Sequence, residues 1–179
     1  DNVWTGKFYL HKSFQPGDTK GNFSSSAYLK YNIRNYLLAT TIVYIDQDFR
    51  ADLGYLPRTG IFKTGNSFKR NFYPANGVIN RHSFELLSVL YWRPNYDFKK
   101  TDHELSGIWD FEFKNKSTLK LKYANNYIFL MQDFDPTRSK DGVPLPGQNG
   151  YYFNQLTSGY QSNKTNLLTY SAETAFGEF

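Results

Sequence analysis

The side chains able to do chemistry are few, and their spacing decides what each set would support. Asp133, Asp135, Thr137, Ser139 and Asp141 occupy alternate positions of one polar stretch, as oxygen ligands do in a calcium-binding loop. Such a loop needs glycine at its sixth position and glutamate at its twelfth, where this chain has Arg138 and Pro144. The stretch therefore reads as a solvated, turn-rich connection, and no metal site is expected. His11, His82 and His103 are far apart along the chain. In Asp102-His103-Glu104, a strand would point the imidazole away from both carboxylates. Asp102 with Glu104, and Asp110 with Glu112, are carboxylate pairs of the kind that general acid–base catalysis uses. Lys120 and Lys122 are placed to answer the second pair, so ordinary salt bridges are the expectation. No Gly-x-Ser-x-Gly, His-Glu-x-x-His or phosphate-loop motif occurs, and the chain has no cysteine. These features predict a protein that is not an enzyme, with no catalytic residues, no metal and no cofactor.

The segments that carry these residues share one signal, alternation at period 2. The chain has 179 residues and is 19% aromatic, yet its mean hydropathy is −0.62 and its net charge only +5. A wall in which every second residue faces lipid, and the rest a polar interior, reconciles those values. No apolar run approaches the roughly 20 residues of a spanning helix. Basic and acidic residues are interspersed, which argues against a nucleic-acid partner.

Nine alternating strands are expected, over 3–14, 25–34, a third ending at 46, 60–73, 79–93, 101–114, 118–130, 151–160 and 167–179. Trp4, Gly6, Phe8 and Leu10 share the apolar face of the first; Ala27, Leu29, Tyr31 and Ile33 that of the second. The third blurs, because Leu37, Leu38, Ile42 and Val43 load both faces; Ala39, Thr41, Val43 and Ile45 are assigned outward. The fifth faces Phe84, Leu86, Leu90 and Trp92 outward. The sixth is the clearest, with Leu105, Gly107, Trp109, Phe111 and Phe113 on one face and charged residues on the other. The opposite faces supply a lumen-facing polar set: Lys7, His11, Lys30, Arg34, Arg81, Glu85, Asp110, Glu112, Lys120 and Lys122. Of Trp4, Trp92, Trp109, Tyr31, Tyr36 and Tyr44, most fall on outward faces and read as interface girdles.

If Asn115-Lys116-Ser117 is a three-residue turn, counting outward pairs Trp109 with Tyr123, Phe111 with Leu121 and Phe113 with Leu119. On the other face Glu112 then meets Lys120, and Asp110 meets Lys122. Connections are expected to alternate long and short, the short ones periplasmic and the long ones extracellular. An odd strand count, with strands at both ends, is read as one stretch of a larger barrel. Bacterial single-chain barrels have even counts, and lipid does not tolerate an open sheet edge. The expected fold is therefore an all-β, antiparallel, up-and-down transmembrane β-barrel, residues 1–179 forming a single segment excerpted from a longer outer-membrane chain.

The stretch Asp48-Phe49-Arg50-Ala51-Asp52-Leu53-Gly54-Tyr55-Leu56-Pro57-Arg58 carries a family likeness. It resembles a signature, approximately Phe-Asn-Pro-Glu-x-Gly-Phe-x-x-Arg, in the uncharacterised C-terminal outer-membrane β-barrel domain of Bacteroidota proteins. Many of those proteins carry an N-terminal family-9 carbohydrate-binding-like domain. Phe49, Gly54, Tyr55 and Arg58 fit the pattern and Asp52 stands at its acidic position, whereas Arg50 and Ala51 replace Asn-Pro. Phe134-Asp135-Pro136, then Gly147 and Gly150-Tyr151-Tyr152, echo further parts of the family. The resemblance implies an outer-membrane barrel of which this chain is an internal portion.

The expected function is thus that of an integral protein of the bacterial outer membrane. It would serve solute transport, glycan-related in one version, or act as a scaffold within an outer-membrane complex. Its expected partners are outer-membrane lipid and other outer-membrane or surface proteins. Any ligand is expected at loop aromatics such as Phe49, Tyr55, Tyr151 and Tyr152. The rival from another class is a soluble all-β carbohydrate-binding module, which would bury its apolar face in protein. An outer-membrane hydrolase ranks third, for want of an inward catalytic cluster.

Overall fold

A computed structural model describes residues 3–14, 16–17, 22–52, 54, 56–137 and 142–178. It contains β1 (Trp4–Ser13), β2 (Asn22–Asn32), β3 (Tyr36–Ile45), β4 (Ile61–Phe72) and β5 (Ile79–Arg93). After a single 3-10 turn (Pro94–Tyr96) follow β6 (Lys99–Phe113), β7 (Thr118–Leu130), β8 (Asn149–Gln161) and β9 (Ser171–Gly177). Each strand pairs antiparallel with its neighbours in the sequence, giving one nine-stranded, up-and-down sheet. Among the described residues the sheet does not close on itself: β1 pairs only with β2, and β9 only with β8. The all-β, antiparallel, up-and-down order is as expected, and within the described residues the sheet is open at β1 and β9.

The pairing runs one apolar row across the whole sheet. Leu38 opposes Phe68, Phe68 opposes Leu86, and the row continues through Gly107, Tyr123 and Leu156 to Phe176. Because opposed residues share a face, this register fixes the sidedness of every strand. It corrects the third. Leu38, Thr40 and Ile42 lie on the apolar face, whereas Ala39, Thr41, Val43 and Ile45 lie with Ser67, Gly65, Lys63 and Ile61 on the other. Apolar residues on both faces of β3 left the choice to its partners β2 and β4.

The hairpin of β6 and β7 is displaced by two residues from the expected register. Trp109 opposes Leu121, Phe111 opposes Leu119 and Asp110 opposes Lys120. The turn explains the shift. The Lys116 amide donates to the Phe113 carbonyl (2.8 Å), and the Phe113 amide donates to the Ser117 carbonyl (3.0 Å). Lys116 is left-handed, with φ of 65°. It occupies the extra, bulged position of a three-residue hairpin loop. Since side chains repeat every two residues, a two-residue shift preserves both faces and changes every partner.

The connections also differ from strict alternation. The connections β1–β2, β3–β4, β5–β6 and β7–β8 leave from one end of the sheet, and β2–β3, β4–β5, β6–β7 and β8–β9 from the other. The connection 94–98 is short because the 3-10 turn and two left-handed residues, Asp97 and Phe98, reverse the chain at once. The last connection is longer than Ser162-Asn163-Lys164, and β9 begins at Ser171, not Leu167. There the Tyr170 amide donates to Ser162 Oγ (2.8 Å), closing a loop that keeps Leu167 and Leu168 exposed.

The absence of cysteine makes the β6–β7 register directly testable. Opposed Cα atoms lie about 4.5–5.5 Å apart, within disulfide reach, and diagonal ones about 7–8 Å. Oxidation of the pair Phe111→Cys with Leu119→Cys is expected to cross-link efficiently. The pair Phe111→Cys with Leu121→Cys is expected to stay largely reduced. Mass spectrometry of the alkylated protein reads both.

Candidate functional site

The chain concentrates its charge chemistry on the face opposite the apolar row. On β6 the pleat sets Asp102, Glu104, Asp110 and Glu112 along that face, and each carboxylate meets a cation from a different element. Arg58, from the connection 46–60, reaches Asp102 at 2.8 Å. Lys122 of β7 lies 2.6 Å from Glu104, which also accepts a hydrogen bond from the Ser106 hydroxyl (2.7 Å). Lys69 of β4 lies 3.1 Å from Asp110 and 3.5 Å from Glu85. Arg81 of β5 lies 3.2 Å from Glu112, which accepts a further bond from the Asn80 amide (2.7 Å).

The Lys69 contact crosses a whole strand, from β4 over β5 to β6. It can do so because β5 offers only Ser83 beneath it, which opposes both Asn71 and Asp110 and is 2% exposed. A larger side chain there would separate the ions. Ser67 completes the group by donating to Glu85 at 2.6 Å. With side-chain exposures between 21% and 33%, Lys69, Glu85 and Asp110 are half-shielded from water. Their attraction is accordingly screened less than that of a fully exposed pair. Chemically the site is a charge-compensated ladder: every β6 carboxylate is held by a cation.

The sequence-derived polar set divides in two here. Arg81, Glu85, Asp110, Glu112 and Lys122 join the ladder. Their partners differ from expectation, since Glu112 pairs with Arg81 rather than Lys120, and Asp110 with Lys69 rather than Lys122. The two-residue register shift carries Lys122 opposite Ile108, one pleat nearer Glu104. Lys120 opposes Asp110 but makes no ion pair among the described residues. Lys7, His11 and Lys30 share the face but stay apart from the ladder on β1 and β2. There Lys7 lies 6.0 Å over the Tyr28 ring, and His11 lies 5.0 Å from Tyr9. Arg34 is in the connection 33–35, against Tyr73.

Lys69, the central cation, carries no mark in the sequence. β4 is polar on both faces, so no alternation marked its inward positions; only pairing with β5 does so. In the signature stretch, Asp52 pairs with Arg50 at 3.1 Å, exposed, while Arg58 alone reaches the ladder. Phe49 is half-buried, and Gly54 donates to the Ala51 carbonyl at 3.1 Å. Tyr55 lies outside the described residues, as do Arg138, Ser139 and Asp141 of the alternating acidic stretch. In that stretch Asp133 accepts from the Gly147 amide (2.7 Å), and Asp135 caps Thr137.

The loop aromatics fare differently again. Tyr152 packs tilted against Tyr127 (4.6 Å) and His103 (5.9 Å), His103 stacks on Tyr127 (5.4 Å), and the Tyr151 hydroxyl donates to the Pro146 carbonyl. Gly150 permits this cluster, because a Cβ there would come within 2.5 Å of the Tyr127 ring.

Removing the shared cation tests the ladder. Lys69→Met is expected to destabilise the sheet by about 1–2 kcal/mol, leaving two half-buried carboxylates unpaired. Lys120→Met, which breaks no ion pair, is expected within about 0.5 kcal/mol of the parent protein. Adding Asp110→Asn to Lys69→Met is expected to restore part of the loss, in a double-mutant cycle followed by denaturant unfolding. No family model, no curated protein and no solved structure matches this chain.

Proposed function

We propose that the chain forms part of the wall of an outer-membrane β-barrel, non-enzymatic, with the carboxylate ladder turned to the interior. The observation that carries this reading is an inverted pattern of exposure. Phe8, Leu29, Leu38, Leu86, Leu105 and Trp109 stand exposed, while Ser24, Ser26, Ser83 and Ser106 of the polar face are buried. A soluble fold does the reverse with its large apolar side chains. An apolar band against lipid and a polar interior are what a spanning barrel requires.

Aromatic and cationic side chains bracket that band. At the end bearing 46–60 and 131–148, Lys12 lies 4.9 Å over both Phe14 and Phe23, Lys99 lies 3.6 Å over Phe129, and Phe62 packs on Trp92. At the other end Trp4 meets Tyr31, Arg70 lies over Tyr36 and Phe72, and Trp109 meets Phe111. Amphipathic rings and long cations suit the headgroup level of a bilayer. No helix among the described residues is long and apolar enough to cross a membrane, which does not bear on strands. The free edges of β1 and β9 would be paired by further strands, since unpaired backbone groups are costly in lipid. The likeness of 48–58 to the Bacteroidota barrel domain supports the same reading. The use would be solute passage along the charged interior or a scaffold for neighbouring outer-membrane proteins.

A second reading, a soluble all-β binding module, has its own observation. The apolar face carries hydrogen-bonded polar residues: Thr40 donates to Asn66 (2.8 Å), and Asn125 donates to Asn154 (2.9 Å). They adjoin a groove of about 670 Å³ that a ligand or a second layer of protein could fill.

Fractionation and detergent dependence separate the two. The full-length protein is expected in the outer-membrane fraction, folded only in detergent or lipid, with gel mobility that changes on boiling. A protein that stays folded and monodisperse in detergent-free buffer would establish the soluble module instead.

A further inference from the structure

We propose that Arg34 and Arg70 form a phospholipid headgroup site at the short-connection end of the apolar face, an inference that rests on the outer-membrane reading. The two arginines line one concavity of about 560 Å³ together with Asn71, Phe72, Tyr73 and His82. No carboxylate lines it, and neither guanidinium has an ion pair among the described residues. Every other arginine described here, except Arg93, is paired with an acid; Arg93 is spent on the Thr59 carbonyl. Two planar cations left without a counter-ion in one hollow suit a bidentate oxyanion such as a phosphate diester.

The hollow is built, not incidental. The Asn71 amide side chain and the Tyr73 hydroxyl both donate to the Arg34 carbonyl at 3.0 Å, and the Asn71 backbone amide donates to the Asn35 carbonyl at 2.8 Å. These bonds fasten the connection 33–35 to the end of β4. The guanidinium of Arg34 then rests 4.8 Å over Tyr73, and that of Arg70 rests 4.8 Å over Phe72. Stacking of this kind holds an arginine plane while leaving its edge donors open. His82 adds a third donor. Its Nδ1 accepts the Trp109 indole N–H (3.2 Å), which leaves the proton of the neutral ring on Nε2.

A lipid rather than a soluble phosphate is indicated by what adjoins the hollow. Phe68 precedes Arg70 by two residues, so it lies on the same face of β4, and it lines the 670 Å³ apolar groove with Leu38 and Leu86. Headgroup donors at the rim and an acyl-sized apolar track directly above them match one amphipathic molecule.

Native mass spectrometry of the full-length protein in a phosphate-free maltoside detergent tests this, with dihexanoyl-phosphatidylglycerol as the probe. One molecule is expected to bind, and Arg34→Gln with Arg70→Gln is expected to weaken it about tenfold or more, the worth of one or two charge-assisted bonds. Should that pair fail to fold, Arg34→Lys with Arg70→Lys keeps the charge, loses the fork, and is expected to fall between. Lys120→Gln is expected to bind like the parent protein. Inorganic phosphate displacing the probe at equal concentration would reassign the hollow to a soluble anion. Equal binding of phosphate-free dihexanoylglycerol, or unchanged binding by both arginine variants, would overturn the site. In each of those cases a detergent-dependent protein leaves the outer-membrane reading standing, whereas a protein folded without detergent removes both.

Discussion

A β-strand sends successive side chains to opposite faces, and on β6 that geometry separates two incompatible chemistries. Leu105, Trp109 and Phe111 go one way; Asp102, Glu104, Asp110 and Glu112 go the other. Four acids in file would repel one another along the strand. They are held because Arg58, Lys122, Lys69 and Arg81 converge on them from four different elements. No single pair of this kind contributes much, about 1 kcal/mol or less when exposed. Together they tie β4, β5, β6, β7 and the connection 46–60 to one line of charge. The order and the sidedness of the central strands follow from satisfying it.

That arrangement explains why the small residues matter. Ser83 and Ser106 are buried beneath long charged neighbours, and the Lys69–Asp110 contact passes over β5 where Ser83 stands. Among the described residues nothing covers the apolar face, and its large side chains project into the surroundings.

Sequence alone revealed much of this, and the failures have physical causes. Strands 79–93 and 118–130 have the expected bounds, because turn residues flank them: Pro74 to Gly77 and Pro94 about the first, Asn115 to Ser117 before the second. The β6–β7 partners were misassigned although both faces were right. Hydrophobicity has period 2 and is blind to a two-residue slip, while the left-handed Lys116 that causes the slip is an ordinary lysine in the sequence. β3 was turned over because apolar residues on both faces cancel the moment. Lys69 was invisible for the opposite reason, polarity on both faces of β4. The expected start of β9 failed at Leu167 and Leu168, two leucines that remain in a connection. Closure into a barrel is a property of the edges, and alternation within strands does not encode it.

In the proposed barrel wall the apolar face of this sheet meets lipid and the charged face meets water. Spin labels placed singly from residue 102 to residue 113, in the protein reconstituted into bilayers, test it directly through collisions with oxygen and with a water-soluble nickel chelate. Odd positions are expected to collide preferentially with oxygen and even positions with nickel, alternating at every residue. Uniform access to nickel, or the opposite phase, would contradict it.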